Sequence, residues 1–288
     1  MSDIINSLIS KYNPKSANEF ENALKEVLQE ITLASLARAN FFDKAAFYGG
    51  TALRIFYDLP RFSEDLDFTL LENQSDFSLK KYFNSVKQTM ESFGISVEIE
   101  DVKKTSPSEI ESAFLKANTK IHLLRIETGK KFADKIQSNK KISIKFEVDT
   151  MPPLGFQTEV KFLPPPITTS IKILKPSFLF SGKMHALLFR KWKKRIKGRD
   201  FYDLLWYVGK KIPLNLVYLE NKMREGNNWK ENRKLNHDDL LSILESRIKE
   251  IDFKMAAQDI APFIKDPNEL SSWNQELFLA AVKNLITE

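Results

Sequence analysis

Cysteine is absent from this 288-residue chain, which excludes disulfides, thiolate nucleophiles and cysteine-ligated zinc. Histidine is scarce. His122, His185 and His237 stand far apart, with no second imidazole at metal-ligand spacing, so a zinc site is not expected. No apolar run reaches the roughly 18 residues that a membrane-spanning helix needs. The opening Met1-Ser2-Asp3-Ile4-Ile5-Asn6 turns polar at once, unlike a secretory leader. These absences predict a cytoplasmic protein with no membrane partner. The Gly-x-Ser-x-Gly elbow of hydrolases and the Gly-x-x-x-x-Gly-Lys-Ser/Thr phosphate loop are also missing, which argues against an α/β-hydrolase and a P-loop ATPase.

What is present is the composition of a folded protein: 42% hydrophobic and 28% charged residues. The length exceeds the usual single-domain size. Patterns with period two dominate the first part of the chain and helical patterns dominate from about Pro176 onward. The expectation is an α+β domain over 1–175, built on a mixed sheet flanked by helices, followed by a helical domain over 176–288. The net charge is +6, and distribution matters more than the total. From Lys183 to Arg199 the chain carries Lys183, Arg190, Lys191, Lys193, Lys194, Arg195, Lys197 and Arg199 with no acid among them. Such a stretch is either a solvated face or an RNA-binding surface.

Ser16-Ala17-Asn18-Glu19 has capping-box spacing and introduces a long helix in which Phe20, Leu24, Val27, Leu28, Ile31 and Leu36 recur at helical intervals. Ala45 to Tyr48 reads as a strand, Gly49-Gly50 as a tight turn, and Thr51 to Tyr57 as a helix closed before Pro60. Leu66, Phe68 and Leu70 alternate with Asp65, Asp67 and Thr69, so a strand with one buried face carries both aspartates on the other. Residues 78–93 read as a helix ended by Gly94. Strands are expected at 95–99, 121–126 and 142–148, with a further one between the two proline clusters at 152–153 and 164–166. In the strand at 142–148, Ser143, Lys145, Glu147 and Asp149 share the polar face.

Two acids on one strand face, next to a glycine turn at a helix N-terminus, suit phosphoryl chemistry. Mg²⁺ takes oxygen ligands, and nucleotidyl transfer uses two such ions bridged by carboxylates. Asp65 and Asp67 are the candidate ligands, with Glu147 or Asp149 as the third. The Gly49-Gly50-Thr51 turn offers backbone N–H groups and the helix dipole to a triphosphate. Its Thr51 hydroxyl is a further donor, and Arg54 follows one turn later. If residues 176–194 form one helix, Lys183 and Arg190 fall seven residues apart, on nearly the same side, and could line one anionic cleft.

At these residues the chain resembles a known family. Gly49-Gly50-Thr51-Ala52-Leu53-Arg54 with Arg61-Phe62-Ser63-Glu64-Asp65-Leu66-Asp67-Phe68 is similar to the first motif of the AbiEii-type nucleotidyltransferase toxins, within the DNA polymerase β-like superfamily. Lys145 to Pro153, Ser181 to Ala186 and Lys197 to Asp203 resemble later motifs in the same order. The superfamily usually has Gly-Ser where this chain has Gly50-Thr51, which preserves the hydroxyl. The resemblance implies that Gly50 and Thr51 bind phosphate and that Asp65 and Asp67 bind Mg²⁺. It further implies that Lys183 contacts the triphosphate and that Asp200 is catalytic, as a base.

The expected reaction is transfer of a nucleoside monophosphate from an NTP to an acceptor hydroxyl, with release of pyrophosphate. By resemblance the protein is a toxin restrained by a cognate antitoxin, and tRNA or another RNA is the acceptor. Two other readings stay open at this point. One is modification of a small molecule such as an aminoglycoside; the other is a nucleotide- or RNA-binding module without catalysis.

Overall fold

The structure, a computed structural model, describes residues 2–101, 110–118, 141–191 and 196–288. The strand expected at 121–126 lies outside the described residues, as do Lys193, Lys194 and Arg195 of the basic stretch. The chain forms two compact units. The first comprises Met1–Phe56, Glu64–Pro152 and Val160–Ile173; the second comprises Tyr57–Ser63, Pro153–Glu159 and Leu174–Glu288.

In the first unit, helix α1 (Ser2–Ser10) precedes α2 (Ala17–Arg38). The Ser16 side chain accepts from the Glu19 amide at 3.2 Å, so one orphan donor of the α2 terminus is satisfied as the capping spacing predicts. All six apolar positions of the predicted stripe are buried. The same helix also buries Glu26 and Glu30, which is tolerable because each carboxylate has partners. The Tyr12 hydroxyl donates to Glu30 at 2.8 Å, and the Lys11 ammonium pairs with it as well. Glu26 accepts from Arg54 Nε at 3.1 Å; burial pushes its carboxyl up and Arg54 pulls part of that back.

Seven strands form one mixed sheet, in agreement with the α+β expectation. They are β1 (Ala45–Tyr48), β2 (Leu66–Leu70), β3 (Val97–Asp101), β4 (Ile110–Asn118), β5 (Lys141–Asp149), β6 (Thr158–Phe162) and β7 (Ser170–Leu174). Their order is β3-β4-β5-β2-β1-β7-β6. β1 runs antiparallel to β2 and parallel to β7, whereas β2 runs parallel to β5. Helix α3 (Gly49–Phe56) follows β1 directly, and α4 (Lys80–Ser92) ends at Gly94. On β5 Ile142, Ile144, Phe146 and Val148 are buried, the alternation that the sequence predicts. Phe68 of β2 anchors the core, edge-on to Phe41 at 4.9 Å and tilted against Phe47 at 5.3 Å.

The second unit is mainly helical: α5 (Pro176–Phe189), α6 (Gly198–Gly209), α7 (Leu216–Glu225), α8 (His237–Lys249), α9 (Phe253–Ile260) and α10 (Gln275–Val282). Phe201 of α6 packs on Phe253 and Phe278, which stack on each other at 4.5 Å. Helix α5 stops five residues short of the predicted end at 194, and Arg190 is already extended, with ψ 125°. The cause is local. Arg247 of α8 donates to the Leu187 carbonyl at 3.3 Å and the Arg190 carbonyl at 2.7 Å, satisfying helix-end acceptors that a further turn would have used. The seven-residue helical relation expected between Lys183 and Arg190 therefore does not hold. Among the described residues no helix is long and apolar enough to cross a membrane.

Candidate active site

The turn after β1 is built around one close approach. Tyr48 is the cross-strand partner of Asp67, and Gly49 turns the chain at φ +85°, a conformation that favours glycine. A Cβ built on Gly49 would fall onto the Asp67 carboxylate, 3.0 Å from Cγ and 3.1 Å from the Asp67 Cβ, with Oδ2 nearer still. Glycine is thus required twice, for its conformation and for its missing side chain. Thr51 is fully buried, and its hydroxyl donates to the main-chain carbonyl of Asp65. The hydroxyl expected to meet phosphate serves here as a stitch. The N-terminus of α3 is fastened to both aspartates, by packing to Asp67 and by a hydrogen bond to Asp65.

Register separates the two candidates for a third carboxylate, which sequence spacing alone left open. In the parallel β2–β5 ladder Asp67 pairs with Glu147, and Thr69 pairs with Asp149. Paired positions project to the same face at adjacent-strand spacing, so Glu147 stands level with Asp67 while Asp149 lies two residues further along. Asp149 is also occupied as a turn cap, its Oδ1 accepting from the Met151 amide at 3.2 Å. Glu147 forms an ion pair with Lys145. Among the described residues no three acid or imidazole groups converge on one point, and one Glu147 oxygen is engaged by Lys145. By donor type Asp65, Asp67 and Glu147 fit a hard divalent cation, since all are carboxylate oxygens.

The second unit holds the other predicted residues in a cluster of five charges. Asp203 is fully buried and gripped by Arg61 in a fork, Nε to Oδ1 at 2.6 Å and Nη2 to Oδ2 at 2.7 Å. The Lys183 ammonium of α5 reaches the same Oδ2 at 2.8 Å. One turn earlier on α6, Asp200 is 4% exposed and paired with Arg190 Nη1 at 2.6 Å. Burial would raise the Asp203 carboxyl, but Arg61 and Lys183 outweigh it and hold the group below the usual carboxylate range. At Asp200 burial wins over Arg190 and Lys183, and the carboxyl is raised. Three cations face two carboxylates, so these five groups leave positive charge in excess.

Of the residues predicted for the site, Gly49, Gly50, Thr51, Asp65, Asp67, Glu147 and Asp149 belong to the first unit, and Lys183, Arg190 and Asp200 to the second. Arg61 and Asp203 were not anticipated. Asp203 follows Asp200 at a spacing of three, which puts both on one side of a helix. No local signal, however, marks Arg61 as a partner 142 residues away.

A mixed sheet carries a glycine turn pressed against Asp67, and the chain continues into a helical unit. Solved structures share the fold. A Helicobacter pylori protein described as a nucleotidyltransferase candidate is 21% identical, with a TM-score of 0.53, covering 90% of this chain and 92% of its own. JHP933 from the same organism is 19% identical with a TM-score of 0.51, over 91% and 90% of the two chains. MenT4, a nucleotidyltransferase toxin from Mycobacterium tuberculosis, is 13% identical with a TM-score of 0.50, over 97% of each. The family model described as nucleotidyl transferase AbiEii toxin, type IV toxin–antitoxin system, matches residues 31–281. The chain belongs to this AbiEii family and is a nucleotidyltransferase. No curated protein matches it.

Proposed function

We propose that the protein transfers a nucleoside monophosphate from an NTP to a hydroxyl of RNA, with tRNA the first acceptor to test. In this reading the reaction depends on Mg²⁺ and takes place in the cytoplasm, where a cognate antitoxin restrains it. The observation that carries the proposal is the fastening of the α3 N-terminus to Asp65 and Asp67. It sets the positive end of a helix, suited to phosphate, beside carboxylates suited to metal. Bound by Asp65, Asp67 and Glu147, two Mg²⁺ ions would neutralise the triphosphate and make the attacking hydroxyl more acidic.

The chain's own residues take the remaining roles. Backbone amides at Gly49 and Gly50 receive phosphate oxygens, and the Lys183 ammonium meets the triphosphate charge, with Arg190 contributing from the same cluster. The acceptor oxygen bonds to the α-phosphorus, the α–β bridge breaks, and pyrophosphate leaves. Asp200, whose carboxyl is raised by burial, takes the proton of the attacking hydroxyl. The basic excess of the chain and its stretch from Lys183 to Arg199 support a polyanionic acceptor over a cationic small molecule such as an aminoglycoside.

Incubation with each labelled NTP, Mg²⁺ and total RNA, beside an Asp67→Ala control, tests the proposal. Label should enter RNA and be lost in the control by about 10²-fold or more. Label that enters an aminoglycoside but not RNA transfers the activity to the small-molecule class. Label that appears equally in the control overturns the site.

A further inference from the structure

We infer that Asp203 is a positioning residue for nucleotidyl transfer, a buried carboxylate pinned by Arg61 that holds the Lys183 ammonium in place for the phosphates. The inference rests on the reading of Lys183 as the triphosphate contact.

The geometry separates this arrangement from an ordinary structural ion pair. Arg61 is 1% exposed and Asp203 wholly buried. Their two-pronged bond already gives the carboxylate a full countercharge. A third donor of the guanidinium goes to the Phe62 carbonyl at 3.0 Å, so the fork is fixed at its own base. A buried pair made for stability needs nothing more, because a second cation on a neutralised carboxylate brings further desolvation cost. Yet Lys183 is drawn onto Oδ2, the oxygen that already accepts from Arg61. The result is an excess positive charge where Lys183, 20% exposed, meets solvent.

Such a charge is what a polyphosphate site requires. A free lysine side chain samples many rotamers, and ordering it costs conformational entropy. The tether meets that cost before substrate arrives. An ammonium has three donors and the tether uses one, which leaves two for phosphate oxygens. Asp200 does not compete for the role, because its oxygen is held by Arg190, whose carbonyl is fixed by Arg247.

The test is a double-mutant comparison. Asp203→Asn removes the tether's charge, and Arg61→Met/Asp203→Leu removes the pair without leaving a buried unpaired arginine, a replacement that buried pairs often tolerate. In either variant that melts cooperatively, kcat/KM for the NTP should fall by about 10²-fold, with KM rising. Adding Lys183→Met to that variant should then cost little more. A folded variant with the native rate overturns the inference, and so does Lys183→Met costing the same factor with and without Asp203. The native rate in Lys183→Met alone instead defeats the reading of Lys183, whatever Asp203 does. Should neither Asp203 variant fold, side-chain ammonium ¹⁵N–¹H spectra of the unaltered chain decide. A tethered Lys183 gives a resolved signal, identified by its loss in Lys183→Met, that shifts with ATP and Mg²⁺. A signal averaged into the exposed lysines overturns the inference.

Discussion

Replacing Gly49 with alanine tests the site at its tightest point. The backbone there has φ +85°, which costs an L-residue about 1–2 kcal/mol. The new Cβ would also lie 3.0 Å from the Asp67 Cγ and nearer to Oδ2, well inside contact distance. The backbone is held by the Tyr48–Asp67 pairing, so the carboxylate must turn away, at about 0.5–1.5 kcal/mol if it leaves its rotamer. The sum is about 1.5–3.5 kcal/mol, a fall in melting temperature of several degrees for a protein of this size. Activity should suffer more than stability, because a shift of about 1 Å in an oxygen proposed to hold metal is worth about 10²-fold.

Gly94 supplies the internal control. It has φ +75° at the end of α4, and a Cβ there would meet nothing within 4 Å. Gly94→Ala should therefore show the backbone penalty alone, about 1–2 kcal/mol, with full transfer activity. Thermal melting and labelled-NTP transfer on the two variants separate strain from collision. If Gly49→Ala keeps the rate of Gly94→Ala at equal stability, the turn does not govern Asp67 and the argument for the site fails.

Gly198→Ala should destabilise by about 2–3 kcal/mol, since its Cβ would fall onto the Ala256 carbonyl, 2.8 Å from the carbon, and backbone cannot step aside. An unchanged urea midpoint would refute that packing. His185 has its pKa lowered to about 4, by burial first and Lys222 second. The unfolded chain takes up a proton that the folded one refuses, so this part of the stability is intact above pH 6.5 and falls as pH drops toward 4. At pH 5 the loss is about 1 kcal/mol after screening, and His185→Leu should narrow the gap between urea midpoints at pH 7 and pH 5. Asn236→Ala removes a capping box in which Asn236 accepts from the Asp239 amide at 2.9 Å and Asp239 accepts from the Asn236 amide at 3.2 Å. It should cost about 1 kcal/mol in a melt and leave transfer unchanged.

How far the sequence could be read depended on the range of the interactions involved. The Gly49 turn and the buried Leu66, Phe68 and Leu70 of β2 were readable because backbone conformation and side-chain period are local properties, although Asp65 precedes the strand and Thr69, expected on the open face, is buried. Which of Glu147 and Asp149 lies beside Asp67 was not readable, because no pattern within either strand records the register between them. The end of α5 was hidden for a similar reason. No glycine or proline interrupts residues 183–197; the helix stops because Arg247, from a distant helix, takes the Leu187 and Arg190 carbonyls. Strand β7 was missed as well, because the proline cluster at 164–166 marks the preceding segment as a loop and hides where the strand begins.

The clearest case of environment overriding sequence is the pair on α6. Asp200 and Asp203 are the same residue type, one turn apart and both buried, yet their proton affinities move in opposite directions. Desolvation is the largest influence on each, and the difference lies in the cations. Asp203 receives two prongs from a buried guanidinium and a third contact from Lys183. Asp200 receives one bond from Arg190, a side chain 42% exposed whose charge is screened by water. Opposed shifts in neighbouring carboxyls divide labour within a site. On the proposed reading, the group that holds its proton more tightly is the one that accepts it from an attacking hydroxyl. The group held ionised keeps its charge through the cycle, which is the property a tether for Lys183 requires.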